Sequence, residues 1–137
     1  MLFRSHFLGT ALIHAGRADA ALPHLLEAIR LSPADPDLTL FNSRIGWAHF
    51  FLGDDEAAVL WTEKAIRLPG ANWPMRAIRL AALARLGRDD DASEALAELL
   101  RFRPDITVSF VRKRLPTADE AYRERLFGGL RKAGLPE

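Results

Sequence analysis

The chain has 137 residues, 49% of them apolar and 27% charged, with a formal net charge of +1. That length suits one domain with a continuous core, and the near-neutral balance gives no global field favouring nucleic acid or a membrane surface. With no cysteine, disulfides, thiolate metal sites and a cysteine nucleophile are excluded, and a cytoplasmic setting is the default expectation.

The N-terminal residues Met1 to His6 show no basic region followed by a long apolar run, so no signal peptide is read there. No apolar stretch approaches the roughly 20 residues of a membrane helix. Helical periodicity then predicts elements at 2–15, 18–32, 38–52, 55–68, 72–86 and 89–102. In the second of these Leu22, Leu25, Leu26 and Ile29 share one face, and in the sixth Leu96, Leu99 and Leu100 do so. Phe102 continues that stripe.

The six helices pair by repetition. Gly16, Gly53 and Gly87 each precede a charged stretch, with alanine five residues on at Ala21, Ala58 and Ala92. The spacings are 37 and 34 residues, and the extra three fit the loop Ser32-Pro33-Ala34-Asp35-Pro36-Asp37. Gly9 and Gly46 lie seven residues before their turn glycines, with Leu80 in the third copy. Ala28, Ala65 and Leu99 lie twelve residues after them, and Pro33, Pro69 and Pro104 follow. Glycine ends a helix without the Cβ penalty of positive φ. Acidic residues such as Asp54-Asp55-Glu56 and Asp89-Asp90-Asp91 then fall at the next helix N-terminus, where they complement its dipole. Each helix pair leaves an apolar flank that only a neighbouring pair can cover.

After Pro104 the composition turns basic, with nine Lys/Arg and five Asp/Glu in residues 101–137, net +4. Ile106 to Leu115 is expected to form a seventh helix, although Ile106, Val108 and Phe110 also suit a strand. Pro116-Thr117-Ala118-Asp119-Glu120 reads as a helix start with Thr117 as cap and Glu120 completing a capping box. Tyr122, Leu126 and Leu130 share a face that could cover the end of the array, and Gly134 and Pro136 end the chain's last helix.

Glycine at the turn, small residues in both helices and a following proline resemble the tetratricopeptide (TPR) consensus over residues 2–104, in copies at about 2–35, 39–70 and 73–104. The third copy departs from it with Arg76 and Arg79. The resemblance implies an all-α, right-handed TPR superhelix of about three repeats, with capping helices over 105–137. The run Gly129 to Glu137 further resembles the C-terminus of bacterial multidomain regulators carrying TPR repeats behind a class III adenylate cyclase-like or winged-helix domain. It implies a non-catalytic scaffold, the regulatory C-terminal part of such a signalling protein.

In TPR arrays the first helix of each pair lines the concave face. The resemblance therefore implies peptide-binding candidates His6, Thr10, Ile13 and His14 in the first copy. Ser43, Arg44, Trp47, Phe50 and Phe51 follow in the second, and Ile78 and Arg85 in the third. Trp47, Phe50 and Phe51 form an aromatic stripe. Such a stripe suits a peptide groove, but apolar stripes at helical spacing are usually buried, which favours packed core or a surface covered by the C-terminal helix. A carboxylate-gripping subfamily uses positions that here hold His6, Thr10, Arg44, Pro74 and Ile78, of which only Arg44 could serve. That function is disfavoured.

His6, His14, His24 and His49 form no HExxH motif and no metal-ligand spacing, no phosphate loop is present, and the serines lack a nucleophile setting. No catalytic residue, metal site or cofactor is expected. A protein or peptide partner is. The alternatives are a homodimer pairing through Trp61, Trp73 or the last helix, and a weak nucleic-acid contact through Arg112-Lys113-Arg114 with Arg123, Arg125, Arg131 and Lys132. Interspersed Glu120 and Glu124 make a solvated face the better account of that basic cluster.

Overall fold

The computed structural model describes the backbone of residues 2–115 and 117–137, and the side chains of residues 7–115 and 117–137. The described residues form eight helices and no strand: α1 Leu2–His14, α2 Ala18–Leu31, α3 Leu38–Phe51, α4 Asp55–Ile66, α5 Trp73–Arg85, α6 Asp89–Phe102, α7 Val108–Arg114 and α8 Glu120–Lys132. The fold is all-α, as expected. The segment for which a strand also suited is helix α7.

The first six helices form three hairpins, α1 on α2, α3 on α4 and α5 on α6, and these stack through α2 on α3 and α4 on α5. The three turn glycines all take the left-handed backbone, at φ 80°, 89° and 74°. Each turn closes in the same way. The residue after the glycine donates its N–H back to the helix: Arg17 to the Leu12 carbonyl at 2.7 Å, Asp54 to His49 at 2.9 Å and Arg88 to Leu83 at 3.1 Å. This six-residue closure satisfies carbonyls that the helix end would otherwise leave without a donor. Asp54 adds a side-chain cap, accepting the Ala57 N–H at 3.1 Å.

Small residues set the helix spacing inside the hairpins. A Cβ on Gly46 would lie 2.6 Å from Thr62 Cγ2, so α3 and α4 sit closer than any side chain at that position would permit. Buried Ala21, Ala28, Ala58 and Ala65 line the same seams. Packed between neighbours on several sides, α3 buries ten of its fourteen residues, which fits its lack of a polar stripe.

In the third hairpin Arg76 and Arg79 are held by acids. Arg76 pairs with Glu98 at 2.7 Å, and Arg79 with Glu63 at 3.3 Å and Glu98 at 3.5 Å. The arginines lash α5 to both neighbouring second helices, which explains how this copy tolerates charge where the consensus is apolar.

After α6 the chain turns back. Thr107 caps α7 by accepting the Phe110 N–H at 3.0 Å, and the Phe110 ring meets Trp73 edge-on at 5.2 Å. The tail ties to the start of α7, where Val108 and Ser109 donate N–H groups to the Pro136 and Glu137 carbonyls at 2.8 and 3.1 Å. The cap of α8 differs from the expectation. Asp119 accepts the Tyr122 N–H at 3.0 Å, and α8 starts at Glu120. Thr117 is buried and its hydroxyl bonds nothing among the described residues. Thr117 sits too far back to cap because residues 117 and 118 cross to α1, where the Ala118 N–H binds the His14 carbonyl at 2.9 Å.

Candidate interaction groove

The first helices α1, α3 and α5 lie side by side, α1 touching α3 and α3 touching α5. Together they form one continuous face of the array. That face is not open along its length, because α8 lies in it, packed against α5 and touching α3.

The contacts of α8 run across all three hairpins. The Tyr122 hydroxyl accepts the Ala18 N–H at 3.1 Å beside the first turn. Its ring stacks flat on Phe51, 4.6 Å between centroids at 8°. Arg125 donates Nε to the Phe50 carbonyl at 2.7 Å and Nη2 to Asp55 Oδ1 at 2.8 Å, with its guanidinium 4.8 Å from the Phe50 ring centre. Arg85 approaches the other oxygen of Asp55 at 3.7 Å. Leu126 and Leu130 are fully buried. At Gly129 the backbones nearly touch: an added Cβ would lie 2.9 Å from Ala81 Cβ and 3.1 Å from its carbonyl oxygen.

The sequence-derived candidates divide accordingly. Ile13, Ser43, Trp47, Phe50, Phe51 and Ile78 are buried. The aromatic stripe is therefore a covered surface in this structure, because Tyr122 and Arg125 of α8 lie on it and α1 flanks it. Thr10, His14 and Arg44 are partly exposed, Arg85 is exposed, and the His6 side chain lies outside the described residues.

Thr10, His14, Arg44 and Trp47 come together where α1 faces α3, beside the segment that leads into α8, whose Ala118 N–H binds the His14 carbonyl. Arg44 donates Nε to Thr10 Oγ1 at 3.2 Å and lies over the Trp47 ring, 3.9 Å from its centre. His14 meets the other edge of that ring system at 5.9 Å and 69°. Burial pushes the Arg44 guanidinium down to about 10. Burial, then the Arg44 charge, lowers His14 below its ordinary value. In this cluster an imidazole and a guanidinium share one buried indole, and Thr10, His14 and Arg44 keep part of their surface exposed.

Several polar atoms in and around the groove are buried without a hydrogen-bond partner among the described residues: His14 Nδ1, Ser43 Oγ, Trp47 Nε1, Thr117 Oγ1 and Arg125 Nη1. Burial also raises the Asp55 carboxyl, against the opposing charges of Arg125 and Arg85. The seam between α8 and the array is therefore electrostatically costly as well as apolar.

Sequence reasoning missed Tyr122, Arg125, Asp55 and Gly129 as groove residues. Arg125 was grouped with a basic cluster, and only the offset of three between Tyr122 and Arg125 marks them as one face. Others of that cluster lie on aromatic rings or pair with an acid, and Arg112 and Arg123 share the Phe127 ring. Arg114 lies over Phe110 at 3.8 Å, Arg112 over Phe127 at 5.0 Å, and Arg131 pairs with Glu137. Among the described residues no group of three or more His, Asp or Glu could hold a metal ion, and no helix is long and apolar enough to cross a membrane.

Stacked helical hairpins with glycine turns and a face built from each first helix define a helical-repeat protein. Residues 41–72, which span most of α3, α4 and the loop after them, match the tetratricopeptide repeat family model, so this segment is similar to one such repeat. Repeats of this kind generally mediate protein–protein interaction and are typically non-catalytic. No curated protein and no solved structure gives a significant match to the chain.

Proposed function

We propose that this chain is a protein-binding scaffold whose partner docks on the face formed by α1, α3 and α5, as the regulatory C-terminal part of a bacterial signalling protein. The single observation that carries the docking reading is the groove itself: a continuous face across three hairpins that seats a helix, with α8 already lying in it. The signalling context rests only on the resemblance of Gly129 to Glu137 to the C-termini of such regulators.

Photo-crosslinking tests the docking. A photoreactive residue at Thr10, partly exposed on the first helix of its hairpin, is compared in cells with one at Leu60, which is 55% exposed on the second helix of its hairpin. Discrete protein adducts from position 10 and none from position 60 are expected. Equal labelling from both, or none from either, removes the groove as the docking surface.

Self-association is the second reading. Phe7 and Leu31, each 58% exposed, and Leu8 put apolar area on the first hairpin. Light scattering at increasing concentration should show a dimer on this reading, and a monomer throughout removes it.

A further inference from the structure

The way α8 is held separates it from an ordinary core helix. The face it turns to the array carries half-buried Tyr122 and Arg125 and buried Leu126, Gly129 and Leu130, spaced i, i+3, i+4, i+7, i+8, while buried Phe127 lies off that stripe under Arg112 of α7. That face is the pattern by which an amphipathic helix lies in a groove. The helix itself is a weak one. Gly128 is exposed, and a Cβ there would meet nothing within 4 Å, so packing gives no reason for a residue that lowers helix stability. Gly129 beside it is the one required for contact with Ala81.

The seam is also imperfect. The Arg125–Asp55 pair is desolvated, each side chain being 13% exposed. Arg125 Nη1 and Thr117 Oγ1 bring unpaired polar atoms into burial from the covering segment. A segment fixed by burial alone would gain by replacing these groups with apolar ones. A polar latch on a weak helix makes the closed state separable from the fold of the hairpins beneath it.

We infer that α8 occupies the groove as a displaceable intramolecular ligand, and that the partner in trans is an amphipathic helix repeating its face: an aromatic, an arginine three residues on, apolar residues at four and eight, and a small residue at seven. This rests on the reading of the α1–α3–α5 face as the docking surface and adds the partner's chemistry and its gate. The partner's arginine meets Asp55 and the Phe50 carbonyl, its aromatic ring takes the place of Tyr122 on Phe51, and its small residue passes over Ala81.

The test uses the full chain and a fluorescent synthetic peptide of residues 117–137. In Arg125→Met the resident helix loses its latch while the added peptide keeps its arginine. The peptide should therefore bind this variant at least tenfold more tightly than it binds the unmodified chain. Adding Asp55→Asn to Arg125→Met removes the carboxylate charge that the peptide's arginine would meet and should cut that gain at least severalfold. Amide exchange on the unmodified chain should show α8 opening as a unit at least tenfold faster than α3 and α5. Equal protection of α8, α3 and α5, or a peptide affinity indifferent to Arg125→Met, overturns the inference. Retained protection of α3 and α5 in the variant confirms that the hairpins stay folded. Should the peptide bind while position 10 captures no protein in cells, the gate stands and the scaffold role falls.

Discussion

His14 shows how one residue ties burial, charge and pH together. Its ring is packed against Trp47 and faces Arg44, and both burial and that charge lower its pKa below the ordinary 6.5. His49 is lowered too, by burial, with Asp54 opposing. In the unfolded chain these imidazoles take a proton as pH falls through the ordinary value, while the folded chain resists it. Stability contributed by the neutral rings is therefore complete above about pH 6.5 and is lost as pH falls from there towards the lowered folded values. Asp55 has the opposite sign, because its raised carboxyl favours the protonated folded form, so its cost appears as pH rises from the ordinary 3.8 through the raised value. Denaturant midpoints measured between about pH 7.5 and 5.5 should decline on acidification, and His14→Phe should flatten the decline. A midpoint that is constant across that window contradicts the burial of neutral His14.

At the scale of elements, the seam between α8 and α5 gives two adjacent glycines opposite roles. Gly129→Ala forces a Cβ to 2.9 Å from Ala81, so either helix must shift, and a loss of about 1–3 kcal/mol is expected. Gly128→Ala adds a methyl in open space on an exposed helical position and should gain about 0.5–1 kcal/mol. Urea denaturation of the two variants checks the pair, and a like-signed effect would mean that α8 is not seated on Ala81.

The hairpins themselves were legible in the sequence because their determinants are local: a glycine per turn, acids after it, and apolar residues at helical spacing. The seating of α8 was not. Tyr122, Leu126 and Leu130 announce a covering face, but which surface they cover depends on contacts 70 or more residues away, such as Arg125 with Phe50 and Asp55. The same distance hid the fate of Trp47, Phe50 and Phe51, whose spacing favours burial yet also fits a floor. Thr117 misled for a related reason. Its capping-box spacing to Glu120 is sound locally, yet the crossing of Ala118 to His14 leaves the cap to Asp119.

Over the whole molecule, an array of hairpins in which each touches only its neighbours unfolds as a near sum of parts. Here one helix touches the first turn, the end of α3 and the middle of α5, so distant hairpins share a common element. Unfolding followed by tryptophan emission and by helical circular dichroism should therefore give coincident single transitions. Arg125→Met should pull the two curves apart as α8 loosens its hold.

A stack of hairpins can flex by small rotations at every joint, since each unit touches only its neighbours. A rod laid across that stack and fastened to all three units opposes those rotations. With α8 in place the hairpins keep one relative setting, and withdrawing it would return elasticity to the joints as well as bare the surface beneath.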